Sequence, residues 1–134
     1  MEHQTLYHGS SEQASQWATR VKMIRRAPQA VVNVYEFSLP ESCRIKRFEA
    51  YDKEWLDFIV DSRAGKRPWK DFDMVEGGVA DDRVIDAVEA YINGYADVEL
   101  TLRKLVYHVP TCQICILNQE IADKYLHFQS YENL

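Results

Sequence analysis

The chain has 134 residues, of which 46% are hydrophobic and 28% charged, and its net charge is −5. These proportions are typical of one folded globular domain and argue against a disordered chain. The acidic balance argues against broad electrostatic binding to nucleic acid. No apolar run approaches the ~18 residues that span a bilayer, and the N-terminus lacks the apolar core of a signal peptide, so we expect a cytoplasmic protein.

Five segments have the apolar spacing of amphipathic helices. The first is predicted to begin after Ser10 or Ser11, where Ser10 and Gln13 fit a capping box, and to end soon after Arg26 because Pro28 cannot continue it. The others are predicted to follow Asp52, Asp81 or Asp82, Asp97 and Asn118. In the first helix the apolar residues that follow helical spacing are Ala14, Trp17, Ala18, Val21 and Ile24.

Strand-like segments lie between these helices. They cover residues 5–8, Val31–Phe37, runs beginning at Cys43, Phe72 and Gln113, and a last short run beginning at Leu126. The resulting order is not the regular alternation of a doubly wound parallel sheet. It predicts an α+β domain with a small mixed or antiparallel sheet and helices packed on its faces.

The spacing of cysteines and histidines does not indicate a metal or redox site. Cys112 and Cys115 form a C-x-x-C motif, but they lie in a strand-like run, where residues three apart point to opposite faces. No second cysteine pair exists, and the four histidines lack the H-E-x-x-H spacing of a zinc site. We therefore expect structural thiols and no metal.

Two charged clusters each have a structural and a functional interpretation. Asp81 and Asp82 could cap the helix that follows them or act as a catalytic carboxylate pair, and capping is favoured. The basic residues between positions 20 and 26 could be the solvated side of a helix or a phosphate-binding patch, and the solvated side is favoured.

Two polar segments lie at predicted strand ends. The run "LYHGS" ends a strand in His8, Gly9 and Ser10, and "QICIL" begins a strand with Gln113. The first position of a buried strand faces the crevice at the edge of a sheet, which is a common ligand location. A single histidine is also often a satisfied structural group, so both interpretations of His8 stay open.

The ordered blocks "LYHGS", "QASQWA", "VVNVYEF", "FDMVEGGVADDRV" and "CQICILNQEIADKYLHF" resemble a bacterial family of small ADP-ribosyltransferase-like domains that is catalogued as of unknown function. The resemblance covers nearly the whole chain as a single domain, residues 1–134. It implies a small split sheet with flanking helices. Members are often encoded beside a small partner protein, so the resemblance also implies a toxin-type protein with an antitoxin-like partner.

The resemblance implies that NAD is the substrate and that four residues contact it. His8 would hydrogen-bond a ribose, the Gly9 backbone would clamp the nicotinamide carboxamide, and Ser10 would fix that loop. Gln113 matches a third motif, often a glutamate, that orients the ribose. A carboxylate at this position both orients the ribose and stabilises the positive charge that develops on it during nicotinamide release. A glutamine only orients the ribose.

In the family, a loop and a strand separate the histidine motif from the "QAxxWA" helix, and a tyrosine in that segment would stack on nicotinamide. This chain passes directly from Ser10 to Ser11. Three explanations are open: a deletion in the gene, a shortened chain, or a disordered segment left out of the sequence.

Three functions follow from these observations. The first is an NAD-dependent ADP-ribosyltransferase that modifies a protein or a nucleic acid, with His8 and Gln113 as the catalytic residues. The second is a catalytically inactive interaction module with the same fold that binds a partner protein. The third is another nucleotide chemistry on the same scaffold, because a fold does not determine a function.

Overall fold

A computed structural model of the protein describes residues 6–78, 82–108 and 112–134. The described residues form five helices and six strands. The helices are α1 (Ser11–Arg25), α2 (Lys53–Arg63), α3 (Asp82–Ile92), α4 (Val98–Leu105) and α5 (Gln119–Tyr125). The strands are β1 (Leu6–His8), β2 (Val31–Phe37), β3 (Ile45–Arg47), β4 (Met74–Gly77), β5 (Gln113–Ile116) and β6 (Leu126–Asn133). The predicted α+β class is confirmed.

The described strands form two sheets. The larger sheet has four strands in the order β1-β5-β4-β3, in which β3 and β4 are parallel and the other neighbours are antiparallel. The smaller sheet is the antiparallel pair β2 and β6. The prediction of a small mixed or antiparallel sheet is thereby confirmed. Strand β6 is longer than predicted, since it pairs with β2 over its whole length.

Each face of the four-stranded sheet is covered by its own hydrophobic core. Successive residues of a strand point to opposite faces, and on β4 Met74 belongs to one core while Val75 packs against the other. The core on the Val75 side comes mostly from α2, α3 and α4 and includes Trp55, Leu56 and Val88. The core on the Met74 side includes Ile116 from β5 and Ile121 from α5.

Side-chain caps define several helix starts, as predicted. The Ser10 hydroxyl accepts a hydrogen bond from the Gln13 N–H at the start of α1, and Asp52, Asp97 and Asn118 cap α2, α4 and α5 in the same way. Position 81 and the side chain of Asp82 lie outside the described residues, so the predicted capping by that pair is not described. None of the described helices is long and apolar enough to cross a membrane.

The apolar residues of α1 are only partly covered. Every residue of α1 is described and none is buried; Trp17 is 53% exposed and Ile24 is 67% exposed. The helix lies against β1 and β2, and Ala14, Ala18 and Val21 are half-buried. Apolar periodicity identifies a helix, but it does not tell whether another part of the fold covers that helix.

Candidate functional site

The sheet brings His8 and Gln113 together. His8 ends β1 and pairs directly with Gln113, which begins β5. Side chains that are directly opposite in an antiparallel pair share a face, with Cβ atoms about 4.5–5.5 Å apart. The Gly9 N–H donates to the Cys112 carbonyl at 3.0 Å, so the next pair, His8 and Gln113, is a non-hydrogen-bonded one, in which facing side chains come closest.

The side chain of His8 carries a buried nitrogen atom with no partner. The residue is half-buried, and its Nδ1 atom has no hydrogen-bond partner among the described residues. A buried polar atom without a hydrogen bond costs roughly 1–3 kcal/mol, so native proteins seldom keep one without a reason. This observation leaves both interpretations of His8 open, a ligand-binding group and a structural histidine.

On the other side of Gln113 lie Gly77, the last residue of β4, and Gly78, which follows the strand. Gly77 pairs with Gln113, and an added Cβ there would lie 3.2 Å from the Cβ of Phe48. At Gly78 an added Cβ would lie 2.6 Å from the ring of Tyr51. The side chains of Phe48 and Tyr51 thus pack directly onto the glycine backbone.

Position 9 requires a glycine because the backbone there packs closely against Cys112. A Cβ at this position would lie 2.7 Å from the Sγ atom of Cys112, which leaves no room for a side chain. The Gly9 N–H is already engaged by the Cys112 carbonyl. The Gly9 N–H is therefore not available to a ligand in this structure.

Ser10 is exposed and its hydroxyl caps α1 through the Gln13 N–H, 3.4 Å away. Its backbone is extended, with φ −122° and ψ 128°, and α1 begins at the next residue. Ser10 thus joins the end of β1 to α1 without an intervening strand. Its expected role in fixing the loop after His8 has a structural basis, since the cap ties that loop to the first turn of the helix.

A cluster that the sequence did not predict lies on the opposite face of the same strands. The Cys112 thiol donates to Glu76 Oε1 at 3.0 Å, and Arg47 Nε donates to Glu76 Oε2 at 3.1 Å. Burial, and then the Glu76 carboxylate, raise the pKa of Cys112 to about 11. The thiol therefore stays protonated and is not a nucleophile. Recognising this cluster needs the pairing of β4 with β5, which residue spacing along the chain does not reveal.

Replacing Glu76 with glutamine is expected to lower the pKa of Cys112, because the carboxylate raises it both by accepting the thiol hydrogen bond and by its charge. In the native chain only about 0.1% of this thiol is thiolate near pH 8, so alkylation should be slow. Mass spectrometry of iodoacetamide-treated protein should show faster labelling of Cys112 in Glu76→Gln than in native protein. Glu132→Gln, at an exposed site, is the control, and equal rates in both variants would contradict the assignment.

Cys112 and Cys115 lie on opposite faces of the sheet, as their spacing predicts. Cys43, Cys112 and Cys115 are free, and burial raises the pKa of each thiol. Cys112 contacts Glu76 on one face of the sheet, whereas Cys115 pairs with Val75 on the other. Among the described residues, no group of three or more His, Cys, Asp or Glu side chains could hold a metal ion.

Comparison with known proteins places the chain in a family without assigning an activity. The model of the family described as "Protein of unknown function (DUF3990)" matches residues 5–128. Searches of curated proteins and of solved structures find no match. Because the family model covers nearly the whole chain, the protein belongs to the DUF3990 family.

Proposed function

We propose that the protein is a bacterial, NAD-dependent ADP-ribosyltransferase-like protein of the toxin type, which transfers ADP-ribose to a protein or a nucleic acid. The observation that carries this proposal is the direct pairing of His8 with Gln113, together with the buried His8 Nδ1 atom that lacks a partner among the described residues. The sequence resemblance assigns a role in NAD binding to both residues.

The residues present fit a bound dinucleotide. NAD supplies the ADP-ribosyl group and releases nicotinamide. The His8 imidazole would hydrogen-bond a ribose hydroxyl, and the Gln113 amide, on the same face, would orient the sugar. The Gly9 backbone would lie against the carboxamide, and Ser10 would hold the loop through its cap on α1.

Among the residues that the structure describes, no carboxylate is paired with His8 or Gln113 in the sheet. Glu76 lies on the neighbouring strand β4, but its carboxylate is on the opposite face and is held by Arg47 and Cys112. Gln113 itself would orient the ribose without offering negative charge to the positive charge that develops on it. We expect transfer that is slow compared with enzymes that carry a glutamate at this position.

The test is incubation of the protein with NAD labelled in its adenylate part, alone and with bacterial lysate. Labelled product is expected from the native chain. His8→Ala and Gln113→Ala should each reduce the transfer by about 100-fold, because the ribose loses its orientation. His127→Ala and Gln119→Ala, at exposed sites, are matched controls and should keep native transfer. Transfer that survives in His8→Ala would contradict the assignment.

The alternative is a catalytically inactive module that binds a small antitoxin-like partner. One observation favours it: Ser10 caps α1 directly, so the segment that would carry the stacking tyrosine is absent from this position. If calorimetry detects no NAD binding and no label is transferred, the transferase proposal fails and the module remains. Label transfer that disappears in both variants excludes the inactive module.

A further inference from the structure

A groove lies between the start of α3 and the end of α4, outside the site described above. Its volume is about 570 Å³. The α3 side is lined by Arg83, Asp86 and Ala87. The α4 side is lined by Arg103 and Lys104, and by Tyr107 and His108, which follow the helix.

The groove carries positive charge in an acidic chain. Among the described residues that line it, three cationic side chains stand against one carboxylate, Asp86, whereas the net charge of the protein is −5. Lys104 has no ion-pair partner among the described residues. Arg103 Nη2 forms an ion pair with Glu99 Oε1 at 2.9 Å. Both side chains are exposed, and the guanidinium has further N–H groups that can donate to a ligand.

Helix stability does not account for all of these cations. Arg103 and Lys104 are in the last turn of α4, where positive charge complements the helix dipole. Arg83 is in the first turn of α3, where the dipole opposes a cation. An anion in the groove would interact favourably with Arg83 as well as with Arg103 and Lys104.

The aromatic ring at the groove is unusually accessible. Tyr107 is 87% exposed, and it lies beside the cations and the small side chain of Ala87. Proteins that bind single-stranded nucleic acid combine cations that contact phosphates with aromatic rings on which bases stack. An acidic or phosphorylated peptide would use the cations but not the face of the ring.

We infer that this groove binds a nucleoside phosphate, with the base stacked on Tyr107 and the phosphate held by Lys104 and Arg83. The ligand is either a free nucleotide or one nucleotide within a single-stranded nucleic acid. This second site does not depend on the proposed transferase function, since none of its lining residues belongs to the His8–Gln113 pair.

The test measures AMP binding by calorimetry and the binding of a fluorescein-labelled dA10 strand by anisotropy, both at low salt. Saturable binding of at least one is expected. Tyr107→Ala and Lys104→Ala should each weaken it by roughly 5-fold or more. Tyr95→Ala and Lys124→Ala are matched controls: Tyr95 is 84% exposed on the protein surface, and Lys124 is in the last turn of α5. His8→Ala should leave the affinity unchanged, which separates this groove from the candidate site.

The two sources of the ligand give different results. Equal affinity for AMP and dA10 identifies a free nucleotide, and tighter binding of dA10 identifies a strand. The inference is overturned if neither ligand saturates, if Tyr107→Ala retains native affinity, or if a polyglutamate peptide binds as tightly as the nucleotides. A loss of AMP binding in His8→Ala but not in Tyr107→Ala would also overturn it, because that result places the nucleotide in the other site.

Discussion

Replacing Trp55 with alanine is expected to lower the free energy of unfolding by about 3–5 kcal/mol, a large part of the 5–15 kcal/mol typical of a domain. The Trp55 side chain is 2% exposed, and its ring meets that of Tyr51 at 4.7 Å in an edge-to-face contact. Truncation removes this contact and leaves a cavity next to Leu56 and Val88, which are also buried. Urea unfolding followed by far-UV circular dichroism measures the change.

Trp17→Ala is the matched control. Trp17 is 53% exposed on α1, and its ring contacts Arg20 in a cation–π arrangement at 6.0 Å. Its removal is expected to change stability by no more than about 0.5–1 kcal/mol. An equal loss of unfolding free energy in Trp55→Ala and Trp17→Ala would contradict the assignment of Trp55 to the core between α2 and α3.

Asp73→Ala is the second substitution with a large expected effect, about 2–4 kcal/mol. The buried Asp73 carboxylate accepts from the Arg44 backbone N–H at 2.9 Å and from Asn118 Nδ2 at 3.2 Å. It thereby joins the segments that lead into β3, β4 and α5. The alanine leaves these donors without their acceptor. Asp71→Ala, at an exposed position two residues earlier, should be nearly neutral in the same unfolding assay.

The contribution of Asp73 depends on pH in a defined direction. The Arg44 backbone hydrogen bond is the main cause that lowers the pKa of this carboxyl below its ordinary 3.8. A folded-state pKa below the unfolded value stabilises the native state above the unfolded pKa, and this stabilisation is lost as the pH falls through the folded pKa. The stability difference between native protein and Asp73→Asn should therefore shrink below about pH 4. A difference that stays constant there would contradict this account.

Local signals in the sequence predicted elements well, because their causes are local. Asp52, Asp97 and Asn118 mark helix starts through their own side-chain hydrogen bonds, and Val31–Phe37 follows strand composition. The length of β6 was not predicted, since it depends on pairing with β2, far away in the chain. The partial exposure of α1 could not be predicted for the same reason, because burial depends on the neighbouring elements as well as on the helix.

The candidate site, too, could be predicted from the sequence only in part. His8 and Gln113 were identified at strand ends by the resemblance, but their contact depends on β1 lying next to β5, which the order of elements does not reveal. The contact of Cys112 with Glu76 was missed because it joins residues 36 positions apart. The basic groove was missed because its residues come from two helices that meet only in the folded chain.

The junction at Ser10 has a consequence for how the chain tolerates insertions. Gly9 is fixed to Cys112 by a backbone hydrogen bond, and Ser10 caps the helix that begins at Ser11. A segment inserted after Ser10 would separate the cap from its helix, at a cost of about 1 kcal/mol unless the insert ends in a capping residue of its own. A chain lengthened at this point would recover this stability if a serine, threonine, asparagine or aspartate stood directly before Ser11.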